Sequence, residues 1–271
     1  PITRVELRGK LKDGITGKDV IITLCGLYNQ DEVLNNVLEF VGEGVSHLSI
    51  DERLTISNMT TEWGALAGVF PIDDITIQWL RNRSNLIAER GLEHVPSDID
   101  GINGSHPRIN DIRIDMLENE NLMADEDAYY IQEIQIDLNT VRPHISGPNH
   151  VKTMTSISVV ESKEIKINKA YLVSCVNSRL DDLSAAAKVV KNRKIAPGVE
   201  FYIAAASNEV QAQSEKSGDW QTLIDAGATP LPPGCGPCIG LGVGLLGPAE
   251  VGISATNRNF KGRMGDPSAE T

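Results

Sequence analysis

Three cysteines carry the strongest chemical signal in this 271-residue chain. Cys175 lies in Leu172-Val173-Ser174-Cys175-Val176-Asn177-Ser178, and Cys235 and Cys238 lie in Pro233-Gly234-Cys235-Gly236-Pro237-Cys238. Their settings suit ligands of an iron–sulfur cluster. A cubane cluster is normally held by one thiolate per iron. If only three thiolates are supplied, one iron keeps an open position and can act as a Lewis acid toward a substrate oxygen. The C-x-x-C pair also reads as half of a zinc site or as a redox dithiol. Zinc needs further ligands, and the five histidines, His47, His94, His106, His144 and His150, are scattered. A dithiol needs the motif to open a helix directly after a strand, which the flanking prolines and glycines oppose. Cys25, on the apolar face of an expected helix, reads as an inert core residue.

Three other groupings bear on chemistry. Thr256-Asn257-Arg258-Asn259-Phe260-Lys261-Gly262-Arg263 offers two arginines with amides between them, a set suited to bidentate recognition of carboxylates. Its plain alternative is a basic surface loop. Asn58 and Glu62, four residues apart, share one helical face. Gly242-Val243-Gly244-Leu245-Leu246-Gly247 spells G-x-G-x-x-G, but a cysteine loop precedes it where a dinucleotide site needs a strand, and position 267 is proline. These glycines read as loop or close-packing glycines.

Sixty residues separate Cys175 from Cys235, so only folding can bring the cysteines together. In open α/β sheets, ligand sites gather at the carboxyl ends of strands. Buried strands are expected over residues 170–174 and 199–205, each followed by a helical stretch, 181–190 and 207–226. That alternation implies a parallel sheet covered by helices on both faces, with Cys175 at a strand end. Upstream, Val5 and Leu7 alternate with charged residues as a strand, and Thr16-Gly17-Lys18-Asp19 opens a helix with Val20, Ile21, Leu24 and Leu27 inward. A second helix is expected from Asp31, with Val33, Leu34, Val37, Leu38 and Val41 on its face, then a short strand over residues 45–50. Residues 54–68 and 81–90 read as helical. Residues 96–113 read as loop, with turn signals at Asp98-Ile99-Asp100-Gly101 and Asn103-Gly104-Ser105. The acidic stretch 118–127 reads as a solvated loop, and Ile134, Ile136 and Leu138 mark a half-buried strand. Arg142-Pro143-His144-Ile145-Ser146-Gly147-Pro148 reads as an interdomain turn. The fold class expected is therefore α/β, two layered α/β/α domains with mainly parallel sheets, divided as 1–142 and 143–271.

Composition narrows the partners. The formal charge is −12 with no basic run, which disfavours nucleic acid and anionic membranes. An anionic small substrate remains open, because arginines gathered in one cleft reverse the local potential. Aromatic residues make up only 4%, so stacking platforms are not expected. No apolar stretch reaches the roughly 18 residues of a spanning helix, and a soluble chain in a reducing compartment is expected.

Taken together, the Cys175 segment, the Cys235–Cys238 pair and the motif from Ser254 to Arg263 resemble the aconitase superfamily in order and approximate spacing. Ile56-Ser57-Asn58-Met59-Thr60-Thr61-Glu62 and Gly64-Ala65 match an upstream motif of the same group, so the resemblance covers essentially the whole chain. Residues 16–29 and 58–73 are most similar to its fungal, lysine-pathway branch. The isopropylmalate isomerase and aconitate branches share most of the motifs. The resemblance implies a hydro-lyase in which Cys175, Cys235 and Cys238 hold a [4Fe-4S] cluster. It further implies that Asn257, Arg258 and Arg263 bind a tricarboxylate substrate, and that Asn58 and Glu62 serve catalysis. For a fungal protein it implies the mitochondrial matrix, and otherwise the cytoplasm. A preceding domain with histidine and aspartate motifs and a swivelling domain with a serine base are expected in the full protein. A piece without them is expected to assemble the cluster poorly and to show little dehydratase activity. Gly247-Pro248-Ala249-Glu250 departs from the Pro-Gly-Glu turn of the superfamily. The reading from another class is a non-catalytic binding or regulatory module whose cysteines hold zinc or nothing.

Overall fold

The computed structural model describes residues 1–93, 105–120 and 122–271. The chain opens with β1 (Ile2–Arg8), where Thr3, Val5 and Leu7 are buried between exposed or half-buried neighbours, the period-2 pattern of a strand. Helix α1 (Gly17–Leu27) follows. Its first turn is closed by the Asp19 carboxylate accepting the Thr16 N–H at 3.0 Å, and it buries Val20, Ile21, Leu24 and Cys25. Next come β2 (Val37–Val41), α2 (Ile50–Trp63), β3 (Ala67–Val69), α3 (Asp74–Arg90), α4 (Asp111–Asn119) and β4 (Gln132–Asp137). A full capping box at Ser49 and Glu52 starts α2, a device worth about 1 kcal/mol. Gly64, in the left-handed region at φ 106°, ends it.

The four strands pair in parallel in the order β3-β2-β1-β4, with Val5 opposite both Phe40 and Ile134. Helices α1 and α2 supply Ile21, Leu24, Ile56, Met59 and Trp63 to the core they share with this sheet. Buried Arg53 ties α2 to the start of α3. Its guanidinium donates to both Asp73 carboxylate oxygens, at 2.8 and 2.6 Å, and to the Val45 and Leu48 carbonyls.

An antiparallel pair, β5 (His144–Ser146) and β6 (Met154–Ser156), leads through α5 (Ile157–Glu161) to a second parallel sheet. The elements are β7 (Lys169–Val173), α6 (Leu180–Val190), β8 (Glu200–Ala204), α7 (Asn208–Ser217), α8 (Asp219–Ala226), β9 (Ala228–Pro230) and β10 (Gly252–Ser254), with strand order β10-β7-β8-β9. One face, through Ile203, packs on Leu183, Val210, Trp220 and Leu223 of α6, α7 and α8. The other, through Tyr171, Val173, Tyr202 and Ala204, packs on the 3-10 turn Gly236–Ile239 with Cys238 and on irregular chain carrying Leu246 and Met264, where the sequence reading expected helices on both faces. The α/β class with mainly parallel sheets is thus as expected.

Several elements differ from the sequence reading. The helix expected from Asp31 is instead the strand β2. Its apolar positions fit a helical period, but Leu38 and Phe40 are buried while Val37, Glu39 and Val41 are half-exposed, an alternation only a strand gives. The strand expected over 45–50 is a 3-10 turn, Glu43–His47, running into the Ser49 cap. The single helix over 207–226 is broken by Gly218 at φ 84°. The turn over 142–148 contains β5. The loop over 96–113 gives way to α4 at Asp111, and its signals at residues 98–101, 103 and 104 lie outside the described residues. The glycines of 242–247 lie in irregular chain, and a Cβ at Gly244 would meet the Tyr202 ring at 2.9 Å, so close packing explains that position.

Candidate active site

All four strands of the second sheet run parallel, so their carboxyl ends share one edge. Cys175 lies two residues beyond β7 and is exposed. The loop after β9 is pinned across the end of β8 by Leu231 N–H to the Ile203 carbonyl, 2.8 Å, and Gly234 N–H to the Ala205 carbonyl, 3.0 Å. That loop delivers Cys235 and the buried Cys238 into one tight turn, closed by Cys238 N–H to the Cys235 carbonyl at 2.9 Å. The turn after β10 delivers Asn257, Arg258 and Arg263. Arg263 Nε donates to the Cys238 carbonyl at 2.9 Å, joining the arginine turn to the cysteine turn.

The first sheet contributes from the opposite side. Asn58 and Glu62 face this edge from α2. Arg258 Nε pairs with Glu62 Oε1, and Asn257 Nδ2 donates to Asn58 Oδ1. Asn257 Oδ1 in turn accepts from Asn177 Nδ2 and from Lys18 Nζ, the latter at 3.1 Å, while Lys18 also donates to the Thr256 carbonyl at 2.7 Å. Thr55 Oγ1 donates to the Val176 carbonyl at 3.0 Å, so α2 also touches the Cys175 turn.

Burial raises the Glu62 carboxyl above its ordinary value, and the Arg258 and Lys18 cations pull it partly back. Its second oxygen, Oε2, is buried without a hydrogen-bond partner. Burial also raises the Cys238 thiol; Arg263 and Arg258 oppose that, whereas Cys235 and Cys175 add to it. Cys238 therefore lies within electrostatic reach of both arginines and of the other two site cysteines. Burial lowers the Lys18 ammonium to about 8. Cys25 lies in the core, its thiol raised by burial to about 12.

A cavity of about 340 Å³ lies behind this junction, lined by Lys18, Met59, Asn177, Asp182, Thr256 and Asn257. Neither the cysteines nor Glu62 line it, whereas Asn257 does. Among the described residues, no three Cys, His, Asp or Glu side chains converge on one point as the ligands of a single metal ion must.

Each site residue named from sequence lies at this junction. Direct contacts join Asn58 to Asn257, Glu62 to Arg258 and Arg263 to the Cys238 backbone, whereas Cys175 and Cys235 are placed there by their turns alone. Sequence reasoning treated Lys18 and Asn177 as parts of a helix start and a motif, not as site residues. For Lys18 a signal existed, since a cation in the first turn of a helix opposes the macrodipole.

Among the described residues, no helix is long and apolar enough to cross a membrane. Residues 1–271 match the family model described as aconitase family (aconitate hydratase). The chain is 56% identical over 273 residues to a protein of Mycosarcoma maydis named homoaconitase, mitochondrial, covering 99% of this chain and 36% of that protein. It is 58% identical over 269 residues to the protein of that name from Yarrowia lipolytica, and 51% identical over 278 residues to the one from Candida glabrata. The chain spans a little over a third of the length of these curated relatives.

Proposed function

The chain belongs to the aconitase family, and from that premise we propose that it is the cluster-binding portion of a homoaconitase. The full-length protein would then catalyse the reversible hydration of homoaconitate to homoisocitrate in lysine biosynthesis, in the mitochondrion. The observation that carries this reading is the junction itself. Side chains from α2 and from the turn after β10, nearly two hundred residues apart, meet in two direct pairs, Asn58 with Asn257 and Glu62 with Arg258, at the edge where the cysteines lie. Similarity to proteins named homoaconitase favours this substrate over those of the isopropylmalate or aconitate branches.

A [4Fe-4S] cluster would be held by Cys175, Cys235 and Cys238, which the turn after β7 and the turn after β9 carry at one strand edge. A cubane offers each thiolate a different iron, so the sulfurs need not converge on one point, which a single zinc ion would require. Arg258 and Arg263 supply positive charge near the Cys238 thiol. When bound, such a cluster supplies a Lewis-acid corner for a substrate hydroxyl. The side chains do the rest. Arg258 and Arg263 present forked donors that match carboxylate geometry and give a tricarboxylate its orientation. Asn58 has given its carbonyl oxygen to Asn257 and keeps its amide N–H groups for a ligand. Glu62, held at Oε1 by Arg258, has Oε2 free to hold or accept a proton, and its raised pKa brings that exchange closer to neutral pH. We place the division between two domain units at 142/143.

Anaerobic reconstitution of the full-length protein with iron and sulfide, followed by absorption and electron paramagnetic resonance, tests the reading. A broad charge-transfer band that is lost on Cys175→Ser, Cys235→Ser or Cys238→Ser, together with turnover of homoaconitate, supports it. Stoichiometric zinc with no band would favour the non-catalytic module.

A further inference from the structure

Lys18 is a half-buried cation that the proposed chemistry does not use, and it is placed where helix α1 gains nothing from it. In the first turn its charge opposes the helix dipole, and burial disfavours the charge further. Its bonds run to residues 238 and 239 positions away: 2.7 Å to the Thr256 carbonyl and 3.1 Å to Asn257 Oδ1. An ammonium has donors only. Together with Asn177 Nδ2 it sets two donors on one atom of the Asn257 amide, which fixes that atom as the oxygen. The amide nitrogen must then face Asn58 Oδ1. The flipped amide would set its N–H groups against Lys18, which has no acceptor to offer, and would force Asn177 and Asn58 to turn as well to keep their bonds. The same lysine braces, at Thr256, the backbone two residues before Arg258, the partner of Glu62. The groups facing it are Glu62 from α2, Asp182 from α6, Cys238 from the cysteine turn and Cys25 from its own helix.

We propose that Lys18 is a positioning residue for substrate binding: by occupying the Thr256 carbonyl and Asn257 Oδ1, it fixes the orientation in which Asn58, Asn257 and Arg258 receive a carboxylated substrate. This rests on the functional reading above. Because the anchor acts on binding groups rather than on reacting atoms, its loss raises KM more than it lowers kcat.

The test uses full-length, cluster-free protein and propane-1,2,3-tricarboxylate, a tricarboxylate with no hydroxyl to react, followed by calorimetry, alongside kcat and KM of the loaded enzyme. Lys18→Met is expected to weaken binding about tenfold, the scale of one or two misdirected hydrogen bonds, with KM raised by a similar factor. Lys18→Arg, which keeps donors and charge, is expected to stay within about threefold of wild type. Should Lys18→Met not fold, Lys18→Gln serves in its place with the same expected loss. Wild-type affinity in the neutral variant, or equal loss in the neutral and arginine variants, overturns the proposal while leaving the functional reading intact. Failure of the wild-type protein to bind the tricarboxylate overturns the functional reading and this proposal with it.

Discussion

Arg258 and Glu62 form an ion pair that is lopsided in its exposure: the Glu62 side chain is 2% exposed and the Arg258 side chain 28%. Removing one partner from a buried pair is costly mainly because the other is left charged and dry. The Glu62 side chain is almost closed off from water, whereas that of Arg258 is not. The two deletions should therefore differ. Arg258→Met is expected to destabilise the protein by about 3 kcal/mol at pH 8, and Glu62→Gln by roughly 1 kcal/mol or less. Burial already holds the Glu62 carboxyl above its ordinary value, and losing Arg258 raises it further. The folded state of Arg258→Met then binds a proton more tightly than the unfolded state, so its deficit shrinks as pH falls from 8 to 5. Urea midpoints at both pH values decide the matter, and equal, pH-independent costs would contradict it.

Ala249 occupies the left-handed region, at φ 58°, in the turn Gly247-Pro248-Ala249-Glu250. An L-residue there costs about 1–2 kcal/mol, partly offset by the smaller chain entropy of alanine over glycine when unfolded. Ala249→Gly should raise stability by roughly 0.5–1 kcal/mol. The turn keeps its bonds in the variant, since Ala249 N–H to Ser268 Oγ, 3.0 Å, is a backbone donor. A lowered urea midpoint would show that the turn is set by something other than this torsion.

Asp182, in the first turn of α6, is raised by burial to about 6 although its carboxylate accepts the Arg179 N–H at 3.0 Å. A folded pKa above the unfolded one means that the folded state holds the extra proton between about pH 4 and 6, so this group's contribution to stability falls as pH climbs through that window. Asp182→Asn keeps an acceptor for Arg179 and removes the charge. It is expected to stabilise the protein at pH 7.5 by roughly 1–2 kcal/mol and to change little at pH 4. Thermal melts across that range test it, and a benefit independent of pH would count against the burial argument.

The legible part of the molecule is the part whose signals are local. β1, α1, β7 and β8 follow from apolar period and caps at Val5, Thr16, Tyr171 and Tyr202, and the cysteine turn from its prolines and glycines. β2 is hidden because Val33, Leu34, Val37, Leu38 and Val41 satisfy a helical spacing, whereas the strand buries Leu38 and Phe40, and only their sheet partners Thr3 and Val5 decide between the two. The roles of Lys18 and Asn177 are fixed by Asn257, which lies 239 and 80 residues away. No window along the chain contains that relationship, so a motif could name Asn257 but not what orients it.

The four cysteines differ in access, and that difference yields a test of the donor set that does not depend on turnover. Cys175 is exposed, Cys235 intermediate and Cys238 6% exposed, while Cys25 is fully buried with its thiol raised to about 12. Alkylation requires a thiolate within reach of the reagent. With cluster-free full-length protein at pH 8, iodoacetamide should modify Cys175 first and Cys25 last, as followed by mass-spectrometric peptide mapping. After reconstitution, the three site cysteines should be protected together, because each would be a ligand, and Cys25 should stay as unreactive as before. A reconstituted protein in which Cys175 is labelled as fast as in the cluster-free form would remove it from the ligand set, and with it the reading that three thiolates hold the group.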